Sequence, residues 1–538
     1  RCTGYVSEWP PRWDRSGNDA SVPVEANGIL RRLSQGHAPL RSPLYRSIIG
    51  ASPHAYWPLE DESSATSAAS ALSARAPMDV IGDVSFASST AVAGSAALPS
   101  FASTGTLHGT MAKGNTTAWS VEFSGVIPDH PSSGIYVPVR WVTGGSVNEW
   151  HFLINSGQVW LNVYSAAGTQ FAAVLAITPT TFDGAHNWVI TAEQNGLNID
   201  TQMYRDGVLV DTGSIATQAL GDVHSLDLNP FSADFAVSVG HLAVYNDAAQ
   251  TGHYEASTGY SGEISGTHIT RLCGEEDISV TVTAGSLEAM GAQTTGALLD
   301  LLRECETAEQ GVLYESGYGL AFTPRAARAN TAIALALDFD LGRVGDAPEP
   351  TDDDQRLRNK FTVTRTGGSS AFAQDTDSVA AVGVYDDSAT VNVATDDVLG
   401  DHAGWRVHLG IADVMRWPRV PLNFARAPSL ITSWVACTVS SRVTIANPPD
   451  QVVGDDIDLI IEGWSEFFDG VRVWTAELAC SPALLWQVLE LASTSGDTGE
   501  FLGRLIPDTM ELLIGRDTDD TSFTVATAPR FTVDSDDY

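Results

Sequence analysis

The chain has 538 residues, of which 43% are hydrophobic and 48 are glycine, a globular and turn-rich composition rather than a disordered one. This length exceeds what one hydrophobic core serves and predicts about three or four domains. The net charge of −37, with no basic stripe to offset it, argues against nucleic acid as a direct partner. No apolar run reaches the roughly 18–20 residues that span a bilayer, so we expect no transmembrane segment.

Residues 1–50 are predicted to form the first part of a larger scaffold. Residues 22–26 favour a short strand, and residues 28–33 favour a helix. A segment of this size cannot bury a core of its own, so it must pack against a later part of the chain. The first residue is Arg1 rather than methionine, which leaves open a segment upstream of it.

Residues 51–256 carry the clearest pattern, that of an all-β domain with turns at the short spacing of a sandwich. The predicted strands are 119–123, 134–141, 149–154, 159–164, 189–192, 198–204, 208–210 and 235–245. Asp206 and Gly207 separate two of these strands and indicate a hairpin, because glycine takes the positive φ that such turns require.

This pattern resembles the laminin-G-like, concanavalin A-like jelly-roll family. The matching residues are Ala55, Tyr56, Trp57, Pro58, Leu59, Glu60, Asp61, Phe182, Asp183, Gly184, His186, Trp188, Tyr204, Asp206, Gly207, Gly240 and Tyr245. The resemblance implies a binding fold and does not imply a particular ligand. It also implies that Trp57, Trp119 and Trp188, which coincide with its signature positions, lie in the core. His186 and His241 lie within predicted strands and are expected to be satisfied core or edge residues rather than ligand contacts.

Aromatic residues on two neighbouring strands are the candidate ligand contacts. They are Trp150, Trp160 and Tyr164. Sugar rings stack their C–H faces on Trp and Tyr while a few polar groups fix their orientation, so a concave sheet with these rings would suit a carbohydrate. The alternative is that the same rings fill the core of the sandwich.

Beyond residue 256 the pattern changes to mixed helices and strands. Leu298, Leu301, Leu302 and Cys305 form one helical stripe, and a strand pair follows, so residues 257–345 predict a compact α+β unit. Residues 346–426 predict strands over 355–394 and then a helix over 399–412.

The last part of the chain is predicted to hold two further modules. Residues 427–490 predict a small β-barrel with strands at 431–438, 442–445, 457–465 and 471–479. Residues 491–538 predict the start of a C-terminal module, with strands at 511–514 and 522–525. The sequence leaves open whether the native chain continues past Tyr538.

Short motifs along nearly the whole chain resemble the tail-tip hub proteins, or large minor tail proteins, of actinobacterial siphophages. The matches are residues 9–13, 28–33, 53–57, 300–325, 359–365, 388–394, 401–405, 418–421, 458–464 and 479–482. The resemblance implies a hub fold of β-barrels and small α+β units, built from residues 1–50 and 257–485. The jelly roll would be inserted into it, giving a fold class that is mainly β with α+β parts.

The same resemblance implies where the protein acts and with what. It implies a homotrimer at the tail tip of the virion that closes the tail tube. The distal tail protein, the tape measure and the tail fibres would be its protein partners, and a host cell-surface glycan would be bound by the jelly roll.

We expect no enzymatic activity. The sequence has no HExxH, GxSxG, GxxxxGK[ST] or GxGxxG motif, and it lacks the Glu-x-Asp-x-x-Glu strand motif of jelly-roll glycosidases. His402 follows Asp401 but is expected to pack a helix, since no nucleophile lies nearby in sequence. No cofactor is expected, because the paired aspartates lack the spacing of a calcium loop. One structural calcium in the jelly roll remains the alternative.

The cysteines are expected to be buried free thiols. They are Cys2, Cys273, Cys305, Cys437 and Cys480, an odd number with no CxxC pair. A disulfide between Cys437 and Cys480 is the alternative.

Two other functions remain in view. The first is a carbohydrate-binding adhesin of a bacterial surface, in which the jelly roll is the functional part and the rest a stalk. The second is a cell-wall glycoside hydrolase or tail lysin, which would need two carboxylates that flank the scissile bond.

Overall fold

The structure, a computed structural model, shows a chain that is mainly β. It describes residues 3–17, 19–22, 24–36, 38–73, 75–101, 104–127, 135–155, 157–171, 175–177, 184–231, 237–345, 348–351, 354–412, 414–449, 456–491 and 501–503. Two compact units divide it, the first drawn from Arg1–Arg32, Ile264–Glu288 and Leu302–Tyr538 and the second from Leu33–Glu263 and Ala289–Leu301.

The first unit begins with short paired strands. Strand β1 (Tyr5–Glu8) pairs with β4 (Glu25–Asn27), β2 (Arg12–Trp13) pairs with β3 (Ala20–Ser21), and helix α1 (Ile29–Leu33) follows, near the predicted positions.

A hairpin much later in the chain packs against this N-terminal part. The Leu30 amide donates to Glu315 Oε1 at 2.8 Å, and the Tyr5 and Tyr318 ring centroids are 6.4 Å apart. The N-terminal segment therefore shares its unit with residues on the far side of the sandwich sequence.

The second unit is a two-sheet sandwich. Its elements are α2 (Pro43–Gly50), β5 (Ala55–Trp57), β6 (Ser67–Ala68), β7 (Met78–Ile81), β8 (Val84–Ser89), β9 (Leu98–Phe101), β10 (Thr106–Thr110), β11 (Ala118–Val126), β12 (Ile135–Thr143), β13 (Glu149–Asn155), β14 (Gln158–Tyr164), β15 (Leu175–Ile177), β16 (Ala185–Asn195), β17 (Asn198–Arg205), β18 (Val208–Ile215), β19 (Val223–Leu228), β20 (Ser238–Tyr245) and α3 (Tyr254–Ser257).

The sandwich strands form two large antiparallel sheets. One has eight strands in the order β15-β14-β13-β12-β19-β10-β7-β6, and the other has six in the order β18-β17-β16-β11-β20-β5. Strands β8 and β9 pair separately. Alternate side chains of each strand point between the sheets, which builds one continuous apolar core. The predicted β-sandwich is confirmed.

Tryptophan rings from both sheets meet at the centre of this core. The Trp119 ring of β11 lies edge-on to Trp150 of β13 at 4.9 Å and to Trp141 of β12 at 5.9 Å. Trp57 and Trp188 are also buried, so the assignment of Trp57, Trp119 and Trp188 to the core is confirmed.

The predicted hairpin at Asp206 and Gly207 joins β17 to β18. Both residues have positive φ, 53° and 77°, as a two-residue turn of this hand requires. Asp206 also accepts a hydrogen bond from the Asn187 amide at 3.0 Å, which holds the turn against β16.

The remaining elements follow the sandwich in sequence. They are α4 (Ser265–Glu275), β21 (Val280–Val282), α5 (Leu298–Glu309), β22 (Val312–Ser316), β23 (Gly319–Thr323), α6 (Arg325–Arg328), β24 (Ile333–Asp338), β25 (Lys360–Arg365), β26 (Ser370–Gln374), α7 (Thr376–Val382), β27 (Asp386–Val391), α8 (Leu399–Gly410), β28 (Arg419–Asn423), α9 (Ile431–Ala436), β29 (Arg442–Ala446), β30 (Ile457–Phe468), β31 (Trp474–Pro482), β32 (Leu489–Leu491) and β33 (Phe501–Gly503), with 3₁₀ turns at Pro428–Leu430 and Ala483–Trp486.

These strands form three smaller sheets and one short pair. The orders are β21-β23-β22, β26-β25-β27 and β24-β29-β30-β31-β28, and β32 pairs with β33. None of the helices in the described ranges is long and apolar enough to cross a membrane.

Two features of residues 427–490 differ from the prediction. The run 431–438 was predicted as a strand, but its residues Ile431–Ala436 form α9. Buried residues in and beside this helix, Leu430, Trp434 and Cys437, recur at helical rather than alternating spacing. Strands β29, β30 and β31 of this region belong to an open five-stranded sheet with β24 and β28 at its edges, whereas the sequence predicted a small barrel.

The cysteines that the structure describes are buried. Cys273, Cys305, Cys437 and Cys480 form no disulfide with one another, as predicted. Cys2, the jelly-roll match at 182–183 and the predicted strands at 511–514 and 522–525 lie outside the described residues.

Candidate functional site

The three predicted contact residues fall on opposite faces of the eight-stranded sheet. Trp150 is 0% exposed and donates from Nε1 to Thr143 Oγ1 at 3.0 Å, so it belongs to the core and is not a ligand contact. Trp160 and Tyr164 of β14 point away from the core and are partly exposed. The register explains the difference, since Trp150 stands opposite the buried Val163.

The outward face of this sheet carries a row of polar residues that stand directly opposite one another on six neighbouring strands. In order they are Asp79 (β7), His108 (β10), Asp227 (β19), Arg140 (β12), His151 (β13) and Asn162 (β14). Side chains in such positions are close enough to interact across the strands. The sheet therefore brings together residues from six separate segments of the sequence.

Asp227 organises the middle of the row. Its Oδ1 lies 2.6 Å from His108 Nδ1, and its Oδ2 accepts from Arg140 Nε at 3.0 Å and Nη2 at 2.8 Å. The Asp227 side chain is only 4% exposed. A carboxylate buried to this degree needs such hydrogen-bonding partners, and Asp227 in turn fixes the side chains of His108 and Arg140.

Glu149 continues the charged contacts toward β13. Its Oε2 lies 3.1 Å from His151 Nε2 and 3.6 Å from Arg140 Nη1. Burial lowers the pKa of His151 below its ordinary value, although the Glu149 carboxylate acts in the opposite direction. The imidazole is therefore neutral at physiological pH and serves as a hydrogen-bonding and stacking group.

Three aromatic rings lie beside these polar groups. The His151 ring centroid is 4.6 Å from that of Tyr164 and 5.6 Å from that of Phe231, and Arg140 Cζ lies 5.8 Å from the Phe231 centroid. Phe231 is 57% exposed. We call Tyr164, His151 and Phe231 the outer-face platform, and it offers ring surface next to fixed hydrogen-bonding groups.

Two polar atoms further along β14 have no partner among the described residues. They are Trp160 Nε1 and Asn162 Oδ1, both buried. A donor and an acceptor are thus left open on the outward face of β14. Both residues alternate with core positions of the same strand.

Several other buried polar groups of the sandwich have partners within it. His241 lies 2.7 Å from both Tyr56 Oη and Ser95 Oγ, so the prediction that it is a satisfied core residue is confirmed. His186 Nδ1 lies 2.7 Å from Asp206, whereas its buried Nε2 has no partner among the described residues. In the other unit, His402 lies on α8, as predicted, and contacts Glu288 at 3.2 Å.

Glu122 of β11 is the most deeply buried carboxylate of this kind. Burial by itself would raise the pKa of Glu122, but hydrogen bonds from His253, Asn187 and Tyr245 outweigh burial and hold the pKa below its ordinary value. These contacts join α3 to the six-stranded sheet and are structural.

Within the described residues, no group of three or more His, Cys, Asp or Glu side chains could hold a metal ion.

Sequence reasoning missed most of the outer-face platform. His151 and Phe231 did not stand out, because one lies in an apolar strand and the other in a turn after β19. The available signal was alternation, since Trp160, Asn162 and Tyr164 share a face of β14 and that face carries polar residues.

No protein-family model matches this chain, and no curated protein matches it. Among solved structures, the botulinum neurotoxin type G receptor-binding domain matches at 10% identity and a TM-score of 0.31, over 39% of this chain and 52% of that chain. The botulinum neurotoxin serotype D binding domain matches at 12% identity and a TM-score of 0.29, over 39% and 50%. This chain spans about half the length of those domains, and similarities this weak leave the function to be argued from the side chains.

Proposed function

We propose that the sandwich is a carbohydrate-binding module and that the whole chain is a structural component of a phage tail tip. The observation that carries the first part is the outer-face platform, a partly exposed aromatic surface beside a row of fixed polar groups. This combination of ring faces and a few oriented hydrogen-bonding groups is what sugar recognition needs.

The polar row supplies orientation at low entropic cost. Arg140 is already held by Asp227 and Glu149, so binding a sugar hydroxyl does not require it to become ordered. Glu149 remains partly exposed and can accept from hydroxyl groups, whereas Phe231 and Tyr164 offer their ring faces. A pyranose seated on the rings would meet both kinds of group.

The test uses the full chain and cell-wall glycans from candidate hosts. We expect Phe231→Ala and Tyr164→Ala each to weaken glycan retention by about tenfold or more, since aromatic contacts of this type contribute about 1–2 kcal/mol. Phe372→Ala is the matched control, because Phe372 is 66% exposed but lies on β26 in the other unit. No retention by the wild-type chain, or equal losses in all three variants, would rule out the platform as the site.

The tail-tip part of the proposal is supported by the quoted motifs and by one arrangement within the first unit. Residues before the sandwich pack on residues after it, through the Leu30–Glu315 hydrogen bond and the Tyr5–Tyr318 contact. That is the arrangement expected of a module inserted into a scaffold, and insertion is tolerated where the two ends of a loop lie close together.

As a tail-tip hub the chain would assemble as a homotrimer in the virion, against the distal tail protein, the tape measure and the tail fibres. Threefold particles at tail ends in electron microscopy would support this. A monomer that is retained on glycans and absent from virions would favour the adhesin instead.

We also propose that the module binds without catalysis. Purified cell wall incubated with the chain should release no reducing sugar or soluble peptide above a buffer control. Release that is lost on Glu149→Gln would favour a hydrolase and contradict this part.

A further inference from the structure

A large cavity lies within the first unit, apart from the sandwich. Its volume is about 1080 Å³, and its wall is formed by residues next to β25, by α7 and α8, and by residues 481–486. The apolar part of the wall includes Leu357, Phe361, Val382, Leu409, Ile411 and Leu485. A cavity of this size is at the upper end of those that hold small ligands, roughly 300–1,000 Å³.

Arg406 of α8 contributes a partly buried cationic group to this wall. Its guanidinium donates from Nη1 to the His402 carbonyl and from Nη2 to the Thr307 carbonyl, both at 3.2 Å, and Cζ lies 5.7 Å from the Phe361 ring centroid. No carboxylate among the described residues lies within ion-pair distance of it. Burial, and then repulsion from Arg325, lower the pKa of Arg406 to about 10, although Glu288 acts in the opposite direction.

The charges behind the wall do not balance. Arg325 and Arg406 share one nearby carboxylate, Glu288, which lies 3.4 Å from Arg325 Nη2 and 3.2 Å from His402 Nε2. Arg325 Nη1 is buried and has no acceptor among the described residues. Two partly buried guanidinium groups against one carboxylate leave positive charge that an anion in the cavity would compensate.

Two other charged wall residues, Arg358 and Glu462, each form an ion pair with a residue of opposite charge. Arg358 Nε is 3.0 Å from Asp387, and Glu462 is bound by Arg328 at 2.5 Å.

Four further charged residues complete the wall. Asp354 accepts from the Tyr385 hydroxyl at 3.0 Å, Arg416 has contacts of its own, and Arg356 and Asp377 are exposed residues of opposite charge. Arg406, a partly buried cation without a carboxylate partner among the described residues, is therefore the point on this wall where an anion would be held.

We propose that this cavity binds a small amphipathic carboxylate, with its carboxylate on Arg406 and its apolar body against Phe361, Leu409 and Leu485. Arginine suits this role because its planar donors match both oxygens of a carboxylate. The apolar wall then buries the rest of the ligand.

The probe is dodecanoate, titrated below its micellar concentration into the full chain after treatment with a lipid-adsorbing resin. Calorimetry is expected to show that one dodecanoate binds per chain. The uncharged dodecanol should bind more weakly than dodecanoate by about tenfold or more. Arg406→Gln should weaken dodecanoate binding by about tenfold or more, because it removes the charge that holds the carboxylate. Arg365→Gln is the matched control, and it should change the affinity by less than about threefold, because Arg365 lies outside the cavity wall and is paired with Asp396.

A second variant covers the case in which Arg406→Gln does not fold. Val382→Asp places a negative charge on an exposed apolar wall residue and should weaken dodecanoate binding by about tenfold. The proposal is overturned by absent dodecanoate binding, by equal affinity for dodecanol, or by unchanged binding in a folded Arg406→Gln or Val382→Asp variant. It is also overturned if an acidic apolar peptide binds and dodecanoate does not, since the ligand is then a protein segment.

Discussion

Arg140 donates hydrogen bonds from both Nε and Nη2 to one oxygen of Asp227, which also lies 2.6 Å from His108 through its other oxygen. One nearly buried carboxylate thus fixes two side chains on the outward face of the eight-stranded sheet. Arg140 in turn lies beside the Phe231 ring. The geometry of the outer-face platform therefore depends on Asp227, which itself has almost no exposed surface.

Replacing Asp227 tests this dependence. Asp227→Asn keeps the shape of the side chain but removes the charge that pairs with Arg140. We expect the free energy of unfolding to fall by about 1–3 kcal/mol, a moderate loss because Arg140 and His108 keep contact with water. Glycan affinity should fall as well, since Arg140 loses its fixed position. Asp79→Asn is the control: Asp79 is exposed at the end of the same row, and its loss should change stability by less than about 0.5 kcal/mol. Equal effects in the two variants, measured by urea unfolding, would contradict this organising role.

Trp150 and Trp160 should behave differently when truncated. Trp150→Ala empties a fully buried position between Trp119 and Trp141 and should cost about 3–5 kcal/mol of stability. Trp160→Ala removes a partly exposed ring and should cost less stability while weakening glycan binding. Thermal unfolding and glycan retention, measured on both variants, separate the two roles. A stable Trp150→Ala variant with weakened glycan binding would contradict this and show that Trp150 contacts the glycan.

Acid should destabilise the sandwich through Glu60. Burial alone would raise the pKa of Glu60, but its hydrogen bond and charge interaction with His241 outweigh burial and lower the pKa from 4.5 to about 2. Since the folded-state pKa is the lower one, this stabilisation is complete above about pH 4.5 and is lost as the pH falls toward about 2.

The corresponding variant is Glu60→Gln. It should lose on the order of 2–3 kcal/mol at neutral pH and show a flatter fall in the free energy of unfolding between pH 4.5 and 2. Glu62→Gln, at an exposed position nearby, should keep the wild-type slope. An unchanged slope in Glu60→Gln would show that other carboxylates govern the acid response.

The buried thiols should be inert while the protein is folded. Burial raises the pKa of Cys273 to about 11 and that of Cys480 to about 12, so neither is a thiolate near pH 8. Thiol reagents followed by peptide mass spectrometry should label Cys273, Cys305, Cys437 and Cys480 only after denaturation. Fast labelling of any of the four in the folded protein, or a Cys437–Cys480 crosslink under non-reducing conditions, would contradict this.

Local pattern predicted much of the fold, because alternation and turn chemistry are local properties. The Asp206–Gly207 hairpin followed from neighbouring residues alone, whereas the core position of Trp188 followed from the family resemblance. The run at 431–438 was misassigned because a short apolar stretch can be read at either period, and only packing of Trp434 against the sheet decides for a helix.

The candidate site was less accessible from sequence because it depends on long-range register. Trp150 and Trp160 look alike in sequence, yet pairing of β13 with β14 places Trp150 opposite Val163 and sends the two rings to opposite faces. Likewise, His108 and Asp227 meet only because β10 and β19 are neighbours in the sheet. No local motif encodes such a pairing.

The most direct measurement is photocrosslinking of the full chain to a host cell-wall oligosaccharide that carries a photoreactive group, followed by peptide mapping. The account predicts that the crosslinks fall on peptides from β13 and β14 and on the peptide that contains Phe231, and that unlabelled oligosaccharide suppresses them. Crosslinks confined to the other unit, such as the exposed β30–β31 hairpin tip at Phe467 and Phe468, would contradict it.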